Sequence, residues 1–289
     1  MKTIAHYASL VKFSHTLFGL PFALLSYTYA LWSSHTPFDP WVLLKVVLAM
    51  VFARNAAMGL NRYADRHWDA QNPRTARREI PAGILPARHV LGFVIVNALL
   101  FLGTAAWINI LALMLAPIAL AVLLGYSYTK RYTAWCHLIL GIALGIAAPG
   151  AYIAVTGQLA IFPILLAGLV VSWVAGFDII YALQDLEFDR SVGLHSIPAR
   201  FGVHKSIAIS LLLHLFSTWS VIIVGLFYGA GSLYWIGALF FVGMLLIQHL
   251  LATPRRLDRI GPMFGVVNGL TSVGYALCAI LDLWFHYHG

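Results

Sequence analysis

Asn61, Asp65 and Asp69 are spaced four apart in a stretch dense in charge, within a chain otherwise nearly free of it. On a helix this spacing puts all three side chains on one face. Carboxylates gathered on one face repel each other unless a cation sits among them. Arg62, Arg66, Arg74, Arg77 and Arg78 lie beside them, and guanidinium groups suit the oxygens of an anion. Acids with arginines fit a magnesium–phosphate site. In such a site Mg2+ takes one or two carboxylates and completes its shell with phosphate oxygens and water. A second stretch repeats the step with Asp185 and Asp189. The chain has eight Asp, and four of them fall in these two pairs. One pair alone would pass for solvated loop charge. Two matched pairs at helix exits point to a site, because acids near membrane depth are costly and usually functional.

Other polar residues carry weaker signals. Tyr126, Lys130 and Arg131 sit in the short loop Gly-Tyr-Ser-Tyr-Thr-Lys-Arg, where basic residues are explained by topology alone. His195, Ser196 and Arg200 follow the second acid pair. Lys45 and Arg54 fall inside an apolar span and can snorkel to an interface. His15 and Asp178 lie in or at the edge of apolar spans, and Asp178 shortly precedes the second motif, where it could face the same cavity.

The elements that must position these residues are apolar. The hydrophobic share is 61% and the charged share 10%, against about a quarter charged in soluble domains. The chain therefore reads as an all-α integral membrane bundle with helices of about 20 residues. Nine spans are expected, at 15–33, 41–60, 88–108, 110–125, 136–155, 161–182, 206–228, 232–251 and 264–286. They form one domain over 1–289, with charged motif loops at about 61–87 and 184–205. The first apolar run lacks an A-x-A-like site, so no cleaved signal peptide is expected. Cys136 and Cys278 imply no disulfide framework.

Sixteen of the 18 Lys and Arg fall before the first span or in alternate loops. By the positive-inside rule the N-terminus and the charged loops are cytoplasmic and the C-terminus external. The net charge of +8 is thus an orientation signal, and no nucleic-acid partner is expected. Membrane lipid is the expected surrounding, and nothing in the sequence sets an oligomeric state.

Asn-x-x-x-Asp-x-x-x-Asp is followed by Arg-Thr-x-x-Arg and Pro-x-Gly. A later Asp-x-x-x-Asp leads to Gly-x-x-Ser and Arg-Phe-Gly. This combination resembles the UbiA superfamily of membrane prenyltransferases over nearly the whole chain. The resemblance implies a ring of nine helices around a central cavity capped by the motif loops. It implies Mg2+ bridging the aspartates to a polyprenyl diphosphate whose chain leaves through a lateral opening into lipid. By the match, Asn61, Asp65 and Asp69 hold one magnesium and Asp185 and Asp189 the other, and the four aspartates are catalytic. Arg66, Lys130 and Arg131 match basic positions that bind diphosphate or the acceptor's carboxylate. Tyr126 matches a tyrosine of the same loop, and Arg74, Arg78 and His195 join the expected substrate-binding set. Asn61-Arg62 departs from the Asn-Asp of many members.

The extended motifs look like a 4-hydroxybenzoate polyprenyltransferase-like branch, part of which resembles enzymes that prenylate 1,4-dihydroxy-6-naphthoate on a route to menaquinone. The implied reaction is electrophilic substitution on a hydroxylated aromatic acid in quinone biosynthesis. A haem farnesyl or chlorophyll type of UbiA enzyme is the alternative within the family. A cation-coupled transporter is the alternative outside it, although its acids belong near mid-membrane.

Overall fold

The computed structural model of the protein describes residues 2–11, 18–252 and 260–288. Expectations that involve Lys12, His15, Arg255, Arg256 and Arg259 lie outside the described residues. The described chain is helical, with no strand among its elements. In order these are α1 (Lys2–Leu10), α2 (Leu20–Ser34), α3 (Pro40–Gln71), α4 (Ala87–Ile108), α5 (Ile110–Thr129), α6 (Cys136–Gly145), α7 (Ala147–Thr156), α8 (Ile161–Ala182), a 3-10 turn (Leu183–Asp185), α9 (Leu186–Ser191), α10 (Ile197–Tyr228), α11 (Ser232–Leu251) and α12 (Ile260–His288).

Eight spans among the described residues are long and apolar enough to cross a membrane. The protein is an integral membrane bundle, and α6 and α7 together make one of its spans. The ninth expected span corresponds to α2, which has 15 residues. At 1.5 Å per residue it reaches about 22 Å, short of a ~30 Å hydrocarbon core. It packs against α7 and α12.

Local chemistry explains where the helices stop. The spans expected at 41–60 and 161–182 run on into the motifs, so the acids sit on helical turns and not in loops. Nothing in 61–71 breaks a helix. Asn72 precedes Pro73, which disfavours the α region, and Asn72 is accordingly extended at φ −87°, ψ 117°. The second motif follows α8 almost without interruption through the 3-10 turn and α9. The Ser196 hydroxyl caps α10 by accepting from the Ala199 N–H at 3.2 Å, with Pro198 in the first turn. The span expected at 136–155 is divided at Ile146. Pro149 has no N–H for the Gly145 carbonyl four residues earlier. Gly141 lets α6 approach α8 closely, since a Cβ there would lie 2.5 Å from the Val171 carbonyl oxygen.

α8 is the central helix. Its span is 61% buried inside the protein, against 11% for α5. Trp173 of α8 packs with Phe22 of α2 and Phe241 of α11, and both of these meet Tyr275 of α12. The second acid pair thus continues from the most firmly held element. α3, α4 and α5 pack together on one side, and α5 presents Leu113, Met114 and Ile118 outward, as a lipid-facing helix should.

Asp282 of α12 is an acid with a structural task. It is 3% exposed. Its oxygens accept from the backbone N–H of Gly231 at 2.9 Å, the N–H of Tyr234 at 3.2 Å and the Tyr228 hydroxyl at 3.2 Å. It therefore caps the start of α11 from another helix. Asp282→Ala leaves these donors unpaired and is expected to cost about 2–4 kcal/mol. A thermal melt in detergent should show the loss, and an unshifted midpoint would contradict it.

Candidate active site

The ends of α3, α5 and α8 and the start of α10 meet at one end of the bundle. Cross-links between distant segments hold them there. The Arg131 guanidinium donates to the Ala64 carbonyl at 2.9 Å and lies between the rings of Trp68 and Tyr128, each 4.6 Å away. The His195 N–H donates to the Lys130 carbonyl at 2.7 Å.

Together these ends enclose a cavity of about 290 Å3. It is lined by Asn61, Asp65 and Asp69 from α3 and by Asp185 and Asp189 from the second motif, with Arg74, Arg78, Tyr126 and Lys130 between them. Asn61 Nδ2 donates to Asp65 Oδ2 at 3.2 Å. Arg78 Nη1 donates to both oxygens of Asp69, at 2.7 and 2.8 Å. Arg74 forms a two-pronged pair with Asp185, through Nε at 2.9 Å to Oδ1 and through Nη2 to Oδ2, and its Nη1 donates to the Tyr181 hydroxyl at 3.0 Å. Asn72 Nδ2 also donates to Asp185, at 2.9 Å. Lys130 Nζ lies 2.8 Å from Asp189 Oδ1, and the Ser196 hydroxyl donates to Asp189 Oδ2 at 3.0 Å.

Three of the four aspartates thus face a basic partner. Burial pulls the Lys130 ammonium down, but the Asp189 carboxylate outweighs it and holds Lys130 above its ordinary range. Burial acts the same way on Arg74, and Asp185 again reverses the sign. Both cations keep their charge at any physiological pH.

Nine of the twelve site residues expected from the sequence line this cavity, and three do not. Arg66 donates to the Tyr63 carbonyl at 2.6 Å and lies over the Tyr63 ring. Arg131 serves as the cross-link just described. His195 is exposed, and its contacts are made by its backbone. Asn72, Tyr181 and His137 line the cavity although the sequence did not single them out. The 113-residue separation of Asn72 and Asp185 leaves no periodic trace.

A second chamber of about 270 Å3 is almost wholly apolar, lined among others by Ala53, Ala57, Ala116, Ala119 and Leu123. The two spaces share Arg54, Met58, Tyr126, Leu140 and Leu144 in their walls. The site is therefore a charged compartment lying beside a greasy one. The donor set suits a hard cation, since it offers carboxylate and amide oxygens. Among the described residues no three of His, Cys, Asp and Glu gather tightly enough to hold an ion alone. An ion here would need substrate oxygens or water, as Mg2+ usually does.

The family model of the UbiA prenyltransferase family matches residues 19–273. The chain is 34% identical over 184 residues to a 4-hydroxybenzoate octaprenyltransferase of Photobacterium profundum, spanning 64% of either protein. It is 31% identical to the enzyme of the same name from Aeromonas salmonicida over 76% of both chains. Among solved structures, an apo UbiA homologue from Aeropyrum pernix superposes with a TM-score of 0.83 at 33% identity, over 93% of this chain and 98% of the other. A UbiA homologue from Archaeoglobus fulgidus, described as bound to GPP and Mg2+, gives a TM-score of 0.69 at 20% identity, over 96% of this chain and 99% of that one.

Proposed function

The chain belongs to the UbiA prenyltransferase family, and on that premise we propose that it moves a polyprenyl group from polyprenyl diphosphate to the ring of a hydroxylated aromatic acid in quinone biosynthesis. The observation that carries this reading is the adjacency of the two compartments. One collects five aspartates and five Lys or Arg side chains, and the other offers an apolar wall of alanine and leucine. A prenyl diphosphate has the same two halves. The curated relatives named above add the aromatic acid, 4-hydroxybenzoate. 1,4-Dihydroxy-6-naphthoate carries the same carboxylate and ring hydroxyl, and it is the second acceptor to be tried.

Asn61, Asp65 and Asp69 on one side and Asp185 and Asp189 on the other would hold Mg2+. When bound, Mg2+ supplies the positive charge that makes diphosphate a better leaving group. Arg74, Arg78 and Lys130 stand at the same rim and donate to phosphate oxygens. The chain's donors are oriented before substrate arrives, which spares reorganisation as charge moves onto the diphosphate. The apolar chamber holds the prenyl chain and keeps water from the allylic carbon as its C–O bond breaks. Arg66, Arg131 and His195 act from outside the cavity, Arg131 by tying α3 to the loop that carries Lys130.

The test is an assay of purified protein with Mg2+, a polyprenyl diphosphate and either aromatic acid, read by product mass. Absence of a prenylated product from both acids would overturn the acceptor class. The charged end is taken to be cytoplasmic, with an external C-terminus. A reporter within 70–80 should then read as internal and one after Gly289 as external, and a cytoplasmic reading at Gly289 would reverse the orientation.

A further inference from the structure

The acids at the rim leave one requirement unmet. Once a ring carbon has bonded to the prenyl carbon, that ring carbon must lose its proton. Arg74, Arg78 and Lys130 occupy Asp185, Asp69 and Asp189, so these carboxylates are engaged with charge. Among the described residues, two carboxylates of the cavity have no Lys or Arg partner: Asp65, which accepts from Asn61 at 3.2 Å and belongs to the magnesium-binding set at the rim, and Asp178. Asp178 is the single residue between Ser172 and Ile180 that is not buried, and it lines the cavity. It lies seven residues before Asp185 and eleven before Asp189, and at 100° per residue all three share a face of the helical run. Seven residues put it about 10 Å deeper than Asp185 along the axis.

Asp178 is also oriented. His137 Nδ1 lies 2.7 Å from Asp178 Oδ2, and the His137 side chain is 3% exposed against 24% for Asp178. The Ile197 backbone N–H donates to His137 Nε2 at 3.4 Å. Nδ1 is the ring nitrogen that faces the carboxylate, and it donates to Asp178. His137 is thus a clamp behind Asp178. The second oxygen, Oδ1, makes no hydrogen bond or ion pair among the described residues, and the side chain lines the cavity.

We propose that Asp178, held in place by His137, is the base that takes the proton from the ring of the acceptor. This rests on the aromatic prenyl transfer argued above. In the step, a ring π pair forms the new C–C bond to the allylic carbon, and the C–O pair leaves with diphosphate. The C–H pair then restores the aromatic ring, and the proton passes to Asp178 Oδ1 and later to water. Depth favours Asp178 over the rim acids. The ring must approach the prenyl carbon from the side away from the diphosphate, which is the membrane side of the rim. Asp178 is the catalytic residue in this scheme and His137 a positioning residue.

The test uses the full chain with Mg2+, geranyl diphosphate and 4-hydroxybenzoate carrying deuterium at the two ring carbons beside the hydroxyl, or the correspondingly deuterated naphthoate if that is the acid turned over. Asp178→Asn still accepts the Nδ1 proton of His137 but is no base. It should lower kcat on the order of 10²-fold or more, with the KM of either substrate little changed. A primary deuterium isotope effect larger than that of the wild type should appear, and geranyl diphosphate should continue to be consumed as geraniol without matching product. His137→Gln keeps a donor toward Asp178 and should lose less. An Asp178→Asn protein with wild-type kcat overturns the assignment. So does one whose product formation and diphosphate consumption fall together with no isotope effect, since Asp178 would then act in binding or folding. A wild type inactive toward both acids overturns the functional reading itself, and this inference with it.

Discussion

Single Asp→Asn replacements at Asp65, Asp69, Asp185 and Asp189 are expected to lower turnover on the order of 10²-fold or more, corresponding to about 3 kcal/mol of transition-state stabilisation each. Asn keeps the shape of Asp and removes the charge that a hard cation prefers. The structure separates this from a folding defect. Arg74 and Lys130, the partners of Asp185 and Asp189, are about a third exposed, with side-chain accessibilities of 31% and 32%. Cations left unpaired there regain water, so the stability cost should stay within about 1 kcal/mol. Asp189 is the exception to watch, because its own side chain is 1% exposed and it also accepts from Ser196. Asn there retains the Ser196 bond. A chelator should mimic the replacements, and restored Mg2+ should rescue the wild type fully. Activity persisting in all four variants without Mg2+ would remove the magnesium–diphosphate assignment and the prenyltransferase reading with it.

Filling the apolar chamber should produce the second large effect. Ala119 lines that chamber and does not line the charged cavity. Ala119→Phe adds a bulky ring to space the prenyl chain would otherwise take. Turnover of an eight-isoprene diphosphate should then fall on the order of 10²-fold, the equivalent of about 3 kcal/mol lost on the transition state. Dimethylallyl diphosphate, which need not enter the chamber, should keep its kcat/KM to within a few-fold. The ratio of the two is the measurement. Equal losses on both would indicate a folding or charged-site defect. Equal retention would mean that the chain leaves by another route.

The Asp282 and Asp178 expectations show why acids in one chain must be told apart by surroundings. Both sit in apolar sequence. Asp282 is closed in by the donors of α11, and Asp178 keeps an oxygen on the cavity. A substitution at either would impair the protein, but only the latter should alter the isotope effect.

By itself, the sequence determined the membrane class, the helical architecture and the two acid pairs. Each follows from local periodicity or composition: apolar runs near 20 residues, basic charge concentrated at alternate span ends, and a four-residue step that stays on one helix face. It also marked Asn61, Tyr126 and Lys130, through motif resemblance. Only the tertiary structure decided which basic residues meet which acids. The pairs Arg74–Asp185, Arg78–Asp69 and Lys130–Asp189 depend on how separate helix ends converge. Spacing along the chain does not encode that convergence. The same reason turned Arg66, Arg131 and His195 away from the cavity, since ring faces and backbone carbonyls nearby compete for them. It brought His137 behind Asp178 from a helix 41 residues away, where a lone histidine in an apolar run gave no sign of a partner.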